Sequence, residues 1–148
     1  MIIDNFKGKY HFLSNYYKTP VYYNGLTYKN SEAAYQAQKT LDNNTRKKFI
    51  NLDPHPSKEL GNKIKLRDNW NDLKAGIMAE VVHAKFTQHP ELVEKLLKTE
   101  DAILIEGNMW HDNYFGTCYC EKCKNIKGKN YLGILSMQER EYWKTILI

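Results

Sequence analysis

The sequence predicts a single domain, residues 1–148, that mixes helices with a few short strands. A length of 148 residues is ample for one buried core. The first 28 residues hold short apolar and aromatic runs separated by turn residues, which is typical of strands. The residues that follow place apolar side chains at helical spacing, and residues 102–107 form an apolar run of the kind found in buried strands.

The composition favours a protein that binds an anionic ligand. Lysine and arginine number 22 against 17 aspartates and glutamates, so the net charge is 22 − 17 = +5, and the chain holds 11 tyrosines. Positive charge attracts phosphates, and tyrosine rings stack on sugars or bases. The charge is modest and dispersed, so a nucleic-acid-binding domain stays an alternative that the sequence does not favour.

The sequence indicates a cytoplasmic protein with no membrane partner. Residues 1–5 lack the basic segment and apolar core of a signal peptide. No run approaches the ~20 apolar residues of a membrane span. The three cysteines are an odd number within one stretch and do not form a disulfide framework.

Residues 21–28 predict a β-hairpin that leads directly into a helix. Two runs rich in tyrosine flank Asn24-Gly25. Asn-Gly is the preferred pair of a type I′ turn, because both residues tolerate a positive φ. Upstream of the hairpin, Phe12 is interpreted as a core residue and Asn15 as a turn residue, with ligand contact as the alternative for both.

The helix after the hairpin carries the most informative polar pattern. Asn30 or Ser31 is suited to cap its start. At about 100° per residue, Glu32, Gln36 and Lys39 share one narrow stripe. Periodicity alone favours an ordinary solvated helix face, with a reaction surface on a rigid element as the alternative. On the opposite side we expect a small buried face formed by Ala33, Ala34, Ala37 and Leu41.

Further helices are predicted in the centre and at the end of the chain. They cover residues 45–51, 57–64, 71–86, 91–98 and 134–140. A charged and aromatic break before the third of them contains Arg67 and Trp70. Arg140, in the last helix, is suited to bind a phosphate or to pair with a neighbouring glutamate.

A second group of candidate residues follows the apolar run at residues 102–107. Asp112 lies among Trp110, Tyr114 and Phe115. Polar and aromatic residues at the end of a strand commonly mark a site, since the strand holds the loop rigidly. A turn or capping aspartate is the alternative interpretation.

The cysteines form the pattern C-x-C-x2-C at Cys118, Cys120 and Cys123, with His111 seven residues earlier. Three thiolates and an imidazole are a known ligand set for structural zinc. Such sites usually pair two separated knuckles, which this pattern lacks. We therefore expect no metal and a reduced loop flanked by lysines, with zinc as the alternative.

Six motifs in one order resemble the YbiA-like, or NADAR (NAD- and ADP-ribose-associated), family. The resemblance runs from about residue 4 to residue 143, and the order of the motifs makes it specific. The motifs are Phe12-Leu13-Ser14-Asn15-Tyr16-Tyr17, Ser31-Glu32-x2-Tyr35-Gln36-Ala37-Gln38-Lys39, Arg67-Asp68-x-Trp70, Met78 with Lys85-Phe86, Asp112-x2-Phe115-Gly116, and Gly128-x-Asn130-x-Leu132-Gly133-x3-Met137-x2-Arg140.

The resemblance implies an α+β domain, mostly helical around a small β-sheet, and N-glycosidase chemistry. It implies substrates that carry a ribose C1–nitrogen bond: ribosylamino-pyrimidine phosphates of the riboflavin pathway, or ADP-ribose attached to guanine in a nucleoside or in DNA. Glu32, Trp70 and Asp112 match the family's active-site glutamate, tryptophan and aspartate. Asn15, Lys39 and Arg67 match positions expected to line the pocket.

Three departures from the family pattern bear on the substrate. The family more often has tryptophan at the position of Phe115, and often histidine at the position of Ala33. The segment 118–127 also lengthens the loop between Gly116 and Gly128. These departures leave the expected reaction class intact and put the identity of the substrate in question.

The expected catalytic residues are therefore Glu32, Lys39 and Asp112, with no cofactor. Glu32 would stabilise the cation that develops at C1 or activate water, Asp112 would assist the departing nitrogen or bind the ribose, and Lys39 would attack C1 to form an imine. The expected substrate-binding residues are Phe12, Asn15, Tyr35, Gln36, Arg67, Trp70, Trp110, Phe115 and Arg140. The alternative function is a non-catalytic module that binds ADP-ribose or NAD.

Overall fold

The computed structural model describes residues 1–147 and has an α+β fold that is mostly helical, which confirms the predicted fold class. In chain order the strands and helices are β1 (Ile2–Ile3), β2 (Lys18–Tyr23), β3 (Leu26–Asn30), α1 (Ser31–Ala37), α2 (Asn43–Arg46), α3 (Pro54–Gly61), α4 (Trp70–Gln88), α5 (Pro90–Leu97), β4 (Ile103–Leu104), β5 (Gly107–Asn108), β6 (Thr117–Cys118) and α6 (Tyr131–Ile146). Short 3₁₀ helices cover Gly8–Leu13, Lys47–Phe49 and Glu121–Cys123.

The predicted helix at residues 45–51 is instead the short helix α2 followed by the 3₁₀ helix Lys47–Phe49, and the other helices differ from the prediction at their ends. α3 begins at Pro54 rather than at Ser57, because proline is well tolerated in the first turn of a helix. The Ser57 hydroxyl instead donates to the Asp53 carbonyl oxygen at 2.9 Å. α6 extends beyond the predicted range 134–140 in both directions. Within residues 1–147, no helix is both long enough and apolar enough to cross a membrane.

The chain divides into two compact units. The central unit is Asn15–His89 and contains β2, β3 and α1 to α4. The terminal unit joins Met1–Ser14 with the residues from Pro90 onward, and contains the remaining strands and helices. The single domain over residues 1–148 stays a prediction.

The central unit is organised by the predicted hairpin. β2 and β3 are antiparallel, with Val21 opposite Tyr28 and Tyr23 opposite Leu26. Asn24 and Gly25 have φ values of 49° and 87°, as a type I′ turn requires. β3 ends at Asn30 and α1 begins at the next residue. The hairpin therefore fixes where α1 starts and in which direction it runs.

α1 is a short helix whose seven residues are all buried. The Asn30 side-chain oxygen accepts from the Ala33 N–H at 2.8 Å, which confirms the predicted cap. The helix packs on both hairpin strands, α3 and α4. It ends at Ala37, so the expectation that Leu41 belongs to its buried face is wrong: Leu41 lies beyond the helix and is 68% exposed.

The terminal unit holds its strands as two parallel pairs. β1 pairs with β4, placing Ile3 opposite Leu104, and β5 pairs with β6, placing Asn108 opposite Cys118. The predicted strand at residues 102–107 is thus split between β4 and the start of β5. α6 packs against α5 and β4. The backbone of Gly133 approaches the Leu104 carbonyl so closely that a Cβ there would fall 2.2 Å from its oxygen.

Candidate functional site

Glu32 and Gln36 form a hydrogen-bonded pair on α1. The Gln36 amide nitrogen donates to the Glu32 carboxylate at 2.7 Å, one helical turn away. The Glu32 backbone N–H donates to the Asn15 carbonyl oxygen at 3.1 Å. Glu32 is 9% exposed and Gln36 is 5% exposed, so the interpretation of this stripe as a solvated helix face is wrong. A carboxylate this deeply buried and hydrogen-bonded is held in a fixed direction.

Gln36 packs against α3 through a glycine. A Cβ at Gly61 would fall 1.9 Å from the side-chain oxygen of Gln36, so a larger residue at position 61 would displace the Gln36 amide. That oxygen is buried and has no hydrogen-bond partner among residues 1–147. The position of the Gln36 amide, and with it the Glu32 carboxylate, therefore depends on Gly61.

Lys39 follows α1 and lies half-buried beside the same glycine. Its ammonium nitrogen donates to the Gly61 carbonyl oxygen at 3.3 Å. Burial lowers the pKa of Lys39 below its ordinary value, the negative charge of Glu32 opposes this shift, and the positive charges of Lys58 and Lys74 reinforce it. The lysine is thus electrostatically coupled to Glu32 and has more of the neutral amine than a solvated lysine has at the same pH.

Arg67 and Trp70 join this group through the segment that precedes α4. The Arg67 backbone N–H donates to the Lys39 carbonyl oxygen at 2.7 Å. Trp70 opens α4 directly after Asn69, whose φ of 60° turns the chain into the helix. The ring of Trp70 packs on Tyr35 of α1, with centroids 5.4 Å apart and planes at 50°. Both rings are 5% exposed and form one wall of the group.

Seven of the predicted site residues therefore lie together in the central unit: Asn15, Glu32, Tyr35, Gln36, Lys39, Arg67 and Trp70. Asn15 is 8% exposed, and besides its backbone bond to Glu32 its amide nitrogen donates to the Met78 sulfur at 3.3 Å. The group combines an anion, two amides, two cations and two aromatic rings. This set is chemically suited to hold a ribose beside a carboxylate and an amine.

Asp112, the third predicted catalytic residue, lies in the terminal unit within a tight turn. One carboxylate oxygen accepts from the backbone N–H groups of Tyr114 and Phe115, both at 3.0 Å. The side chain of Asn108 clamps the Asp112 backbone, donating to its carbonyl oxygen at 2.8 Å and accepting from its N–H at 3.2 Å. Asp112 thus has the capping role that the sequence allowed, and this role fixes its carboxylate.

The other predicted residues of the terminal unit have different surroundings. Trp110 is 53% exposed, while Phe115 is half-buried and meets Tyr114 edge to face with centroids 4.7 Å apart. Phe12 is 3% exposed and is one of the buried residues of the 3₁₀ helix Gly8–Leu13. Its surroundings match the core interpretation given from sequence.

Arg140 is a structural link within the terminal unit. Its two terminal nitrogens donate to the Thr99 hydroxyl at 2.8 Å and to the Ala102 carbonyl oxygen at 2.9 Å. Its Nε is buried without a hydrogen-bond partner among the described residues, and the side chain is 6% exposed. These bonds tie α6 to the segment before β4, and we leave Arg140 out of the proposed site.

Two residues of the central unit with notable surroundings were not among the candidate residues from sequence. Gly61 gave no local signal, because its importance arises from a contact with Gln36, 25 positions earlier. Lys85 on α4 is 2% exposed, burial lowers its pKa to about 7, and its nitrogen lies 5.7 Å from the ring centre of Tyr17. The signal for Lys85 was present in the Lys85-Phe86 motif, although helical periodicity alone gave it no role.

Comparison with known proteins supports the resemblance seen in the motifs. A family model described as the NADAR domain matches residues 4–143. N-glycosidase YbiA of Shigella boydii serotype 4 (strain Sb227) is 39% identical over 131 residues, covering 86% of this chain and 78% of that protein. N-glycosidase YbiA of Escherichia coli (strain K12) is 37% identical with the same coverage. A riboflavin biosynthesis protein of Vibrio vulnificus (strain YJ016) is 30% identical over 137 residues, covering 88% of this chain and 35% of that protein.

The fold agrees with a solved structure over nearly the whole chain. The NMR structure of the Escherichia coli protein YbiA matches with a TM-score of 0.82 at 35% identity, covering 98% of this chain and 86% of that one. Fold and sequence together define an α+β protein of the YbiA type. The chain belongs to the NADAR domain family, and the resemblance recognised from the motifs is confirmed.

Proposed function

We propose that this protein is an N-glycosidase that hydrolyses the bond between C1 of a ribose and a nitrogen of a base. The reaction class, hydrolysis of an N-glycosyl bond, is the one for which the YbiA relatives are named. The observation that carries the residue-level proposal is the buried Glu32 carboxylate. The Gln36 amide donates a hydrogen bond to this carboxylate. The negative charge of the carboxylate raises the pKa of Lys39 and so opposes the effect of burial.

Glu32 supplies the negative charge that the reaction requires. Breaking a ribosyl C–N bond builds positive charge at C1 and at the ring oxygen. A carboxylate that is already fixed where this charge develops stabilises the transition state without reorganising. The Gln36 hydrogen bond and the burial of Glu32 support this role, since both limit the directions in which the carboxylate can point.

Lys39 acts as the nucleophile in this proposal. Its neutral amine attacks C1, the C1–nitrogen bond breaks, and the base leaves with the bonding electron pair and takes a proton. Loss of the amine proton and opening of the ribose ring then give an imine between Lys39 and C1. Water hydrolyses the imine, which releases the ribose and restores the amine. The lowered pKa of Lys39 supports this step, because only the neutral amine is nucleophilic.

The remaining residues of the central unit bind the substrate. The Trp70 and Tyr35 rings offer a face for the base or sugar, and Arg67 offers a guanidinium for a phosphate. Asn15 positions the start of α1 through its backbone bond to Glu32. Asp112, Trp110 and Phe115 lie in the terminal unit, and their part in the reaction stays a prediction from the sequence.

The candidate substrates are of two kinds, both with a ribosyl C–N bond and a phosphate. The first is a ribosylamino-pyrimidine phosphate of the riboflavin pathway. Similarity to proteins named as riboflavin biosynthesis proteins supports this kind of substrate. The second is ADP-ribose attached to guanine, either in a nucleoside or in DNA. Arg67 suits the phosphate of either, so the leaving base must be identified by experiment.

A substrate panel tests the proposed function. The full chain is incubated with ribosylamino-pyrimidine phosphate, ADP-ribosylated guanosine and ADP-ribosylated DNA, and released base is measured against a protein-free sample. Catalytic release from at least one substrate is expected. If the protein binds ADP-ribose or NAD but releases base from none of the three, it is the non-catalytic binding module and the proposal is wrong.

A further inference from the structure

One side-chain cluster of the terminal unit consists of residues to which the proposed reaction gives no role. It comprises His111 from the loop after β5, Cys118 from β6, Cys120 directly before the 3₁₀ helix Glu121–Cys123, and Cys123 within that helix. The possible ligand atoms of the four residues all lie within 4.8 Å of one another. From the sequence we expected a reduced loop without metal, with zinc as the alternative.

The distances in this cluster match those of a tetrahedral metal site. His111 Nδ1 lies 3.3 Å from Cys120 Sγ, 3.4 Å from Cys123 Sγ and 3.9 Å from Cys118 Sγ. With Zn–S bonds near 2.3 Å and Zn–N bonds near 2.0–2.1 Å, a tetrahedron places nitrogen and sulfur ligands about 3.6 Å apart. The three observed nitrogen–sulfur distances lie around this value, and no two of the four ligand atoms are more than 4.8 Å apart, which is compatible with one ion bound between them.

Backbone N–H groups point at one of the sulfurs, as they do at metal-bound thiolates. The His111 N–H donates to Cys118 Sγ at 3.3 Å and the Cys120 N–H donates to it at 3.5 Å. Such donors orient a ligating sulfur from outside the coordination sphere. Cys118 and Cys123 are buried and Cys120 is half-buried, so water has limited access to the sulfurs.

The backbone of His111 is held in an unusual conformation that brings its ring to the sulfurs. Its φ is 70°, in the left-handed region that residues other than glycine seldom enter. Such a conformation persists where the surroundings determine it, commonly at ligand sites. All three cysteines are free, and an odd number converging on a histidine suits a metal better than a disulfide.

We propose that His111, Cys118, Cys120 and Cys123 bind one Zn²⁺ as a structural, four-coordinate site. Three sulfurs and one imidazole nitrogen in tetrahedral arrangement are the ligands that zinc selects, and four protein ligands leave no open position for catalysis. The ion would hold together the loop from residue 109 to residue 123, which also carries Asp112 directly after His111. The assignment does not depend on the proposed glycosidase function.

Metal analysis of the purified full chain tests the proposal. The protein is prepared in reductant without chelators, and about one zinc per chain is expected by elemental analysis. After zinc removal, titration with Co²⁺ alone should produce thiolate-to-cobalt charge-transfer absorption and the visible bands of tetrahedral cobalt. A chain without zinc that also gives no thiolate–cobalt bands would overturn the proposal.

Variants assign the ligands. Cys120→Ser and His111→Gly should each weaken Co²⁺ binding by roughly 100-fold or more, since loss of a ligand exceeds the 10–100-fold effect of outer partners. Glycine suits the positive φ at residue 111, so His111→Gly removes the ligand without new backbone strain. Lys122→Ser, at an exposed position in the same 3₁₀ helix, is the matched control and should bind as wild type. Equal affinity in all four proteins would contradict the assigned ligands.

Discussion

Gln36 donates to the Glu32 carboxylate at 2.7 Å, and both side chains are almost fully buried on a helix of seven residues. The pair gives the proposed site its fixed negative charge. Its geometry depends in turn on Gly61 of α3, which makes room for the Gln36 amide. Residues of two helices of the central unit, α1 and α3, therefore determine where the Glu32 carboxylate points.

Gly61→Ala should lower activity more than it lowers stability. The new Cβ would lie 1.9 Å from the side-chain oxygen of Gln36. The Gln36 amide must therefore move, and its hydrogen bond to Glu32 is weakened. Because the amide is the end of a flexible side chain, the fold can absorb the change. We expect kcat/KM to fall by about tenfold or more, corresponding to the loss of one hydrogen bond to a charged group.

Gly76→Ala on α4 is the matched control. A Cβ at Gly76 meets nothing within 4 Å, and alanine in a helix interior is favoured over glycine by about 0.5–1 kcal/mol. Gly76→Ala should therefore raise the free energy of unfolding slightly and leave kcat/KM unchanged. If Gly61→Ala retains the wild-type kcat/KM, Gln36 does not position Glu32 for the reaction.

Borohydride should trap a covalent adduct on Lys39 during turnover. The proposed imine is reduced to a stable secondary amine, which mass spectrometry locates on the peptide that contains residue 39. Lys39→Arg should form no adduct, because a guanidinium is not nucleophilic. Lys63→Arg, which changes an exposed lysine of the same unit, should form as much adduct as wild type does. If active wild-type enzyme yields no adduct, Lys39 is not the nucleophile and only binds the substrate.

The pKa of Lys39 should lie below that of an ordinary lysine and fall further in Glu32→Gln. Burial lowers this pKa and the Glu32 charge opposes the shift, so removing the charge leaves burial less opposed. NMR titration of reductively ¹³C-methylated protein measures the value directly. A pKa that rises or stays the same in Glu32→Gln would show that the two groups are not coupled as the structure indicates.

Lys85 should make the stability of the protein depend on pH above neutrality. Burial lowers its pKa to about 7, whereas lysine in the unfolded chain titrates near 10.4. Between these values the unfolded state binds more protons, so the free energy of unfolding rises with pH, by up to about 1.4 kcal/mol per unit. Urea unfolding at pH 7, 8 and 9 should show this rise, and Lys85→Met should remove it. A slope that is the same in wild type and Lys85→Met would contradict the shift.

Local chemistry in the sequence was sufficient to predict the hairpin and the start of α1. Asn24-Gly25 predicted a type I′ turn, and Asn30 was predicted to cap the helix. The turn and the cap depend only on residues close in sequence. The length and burial of α1 were not predictable in this way. Helical periodicity describes one helix in isolation, while the burial of Glu32 results from packing on two strands and two other helices.

Contacts between distant residues account for most of what the sequence did not predict. The parallel pairing of Ile2 with Ile103 joins residues about 100 positions apart, and no local pattern encodes it. The convergence of His111 on the three cysteines required a left-handed backbone at one residue. The motif order, by contrast, already indicated the family, because six weak patterns in one sequence order restrict the fold more than any one of them.

The most direct test is the initial rate of base release by Glu32→Gln, measured on whichever substrate of the panel wild type cleaves. The amide keeps the shape of the side chain and removes its charge, so kcat should fall by roughly two orders of magnitude or more while the circular dichroism spectrum is unchanged. Glu59→Gln, at an exposed carboxylate of α3, should retain the wild-type rate. A Glu32→Gln enzyme that turns over nearly as fast as wild type would contradict the proposal that the buried carboxylate of α1 drives cleavage of the ribosyl bond.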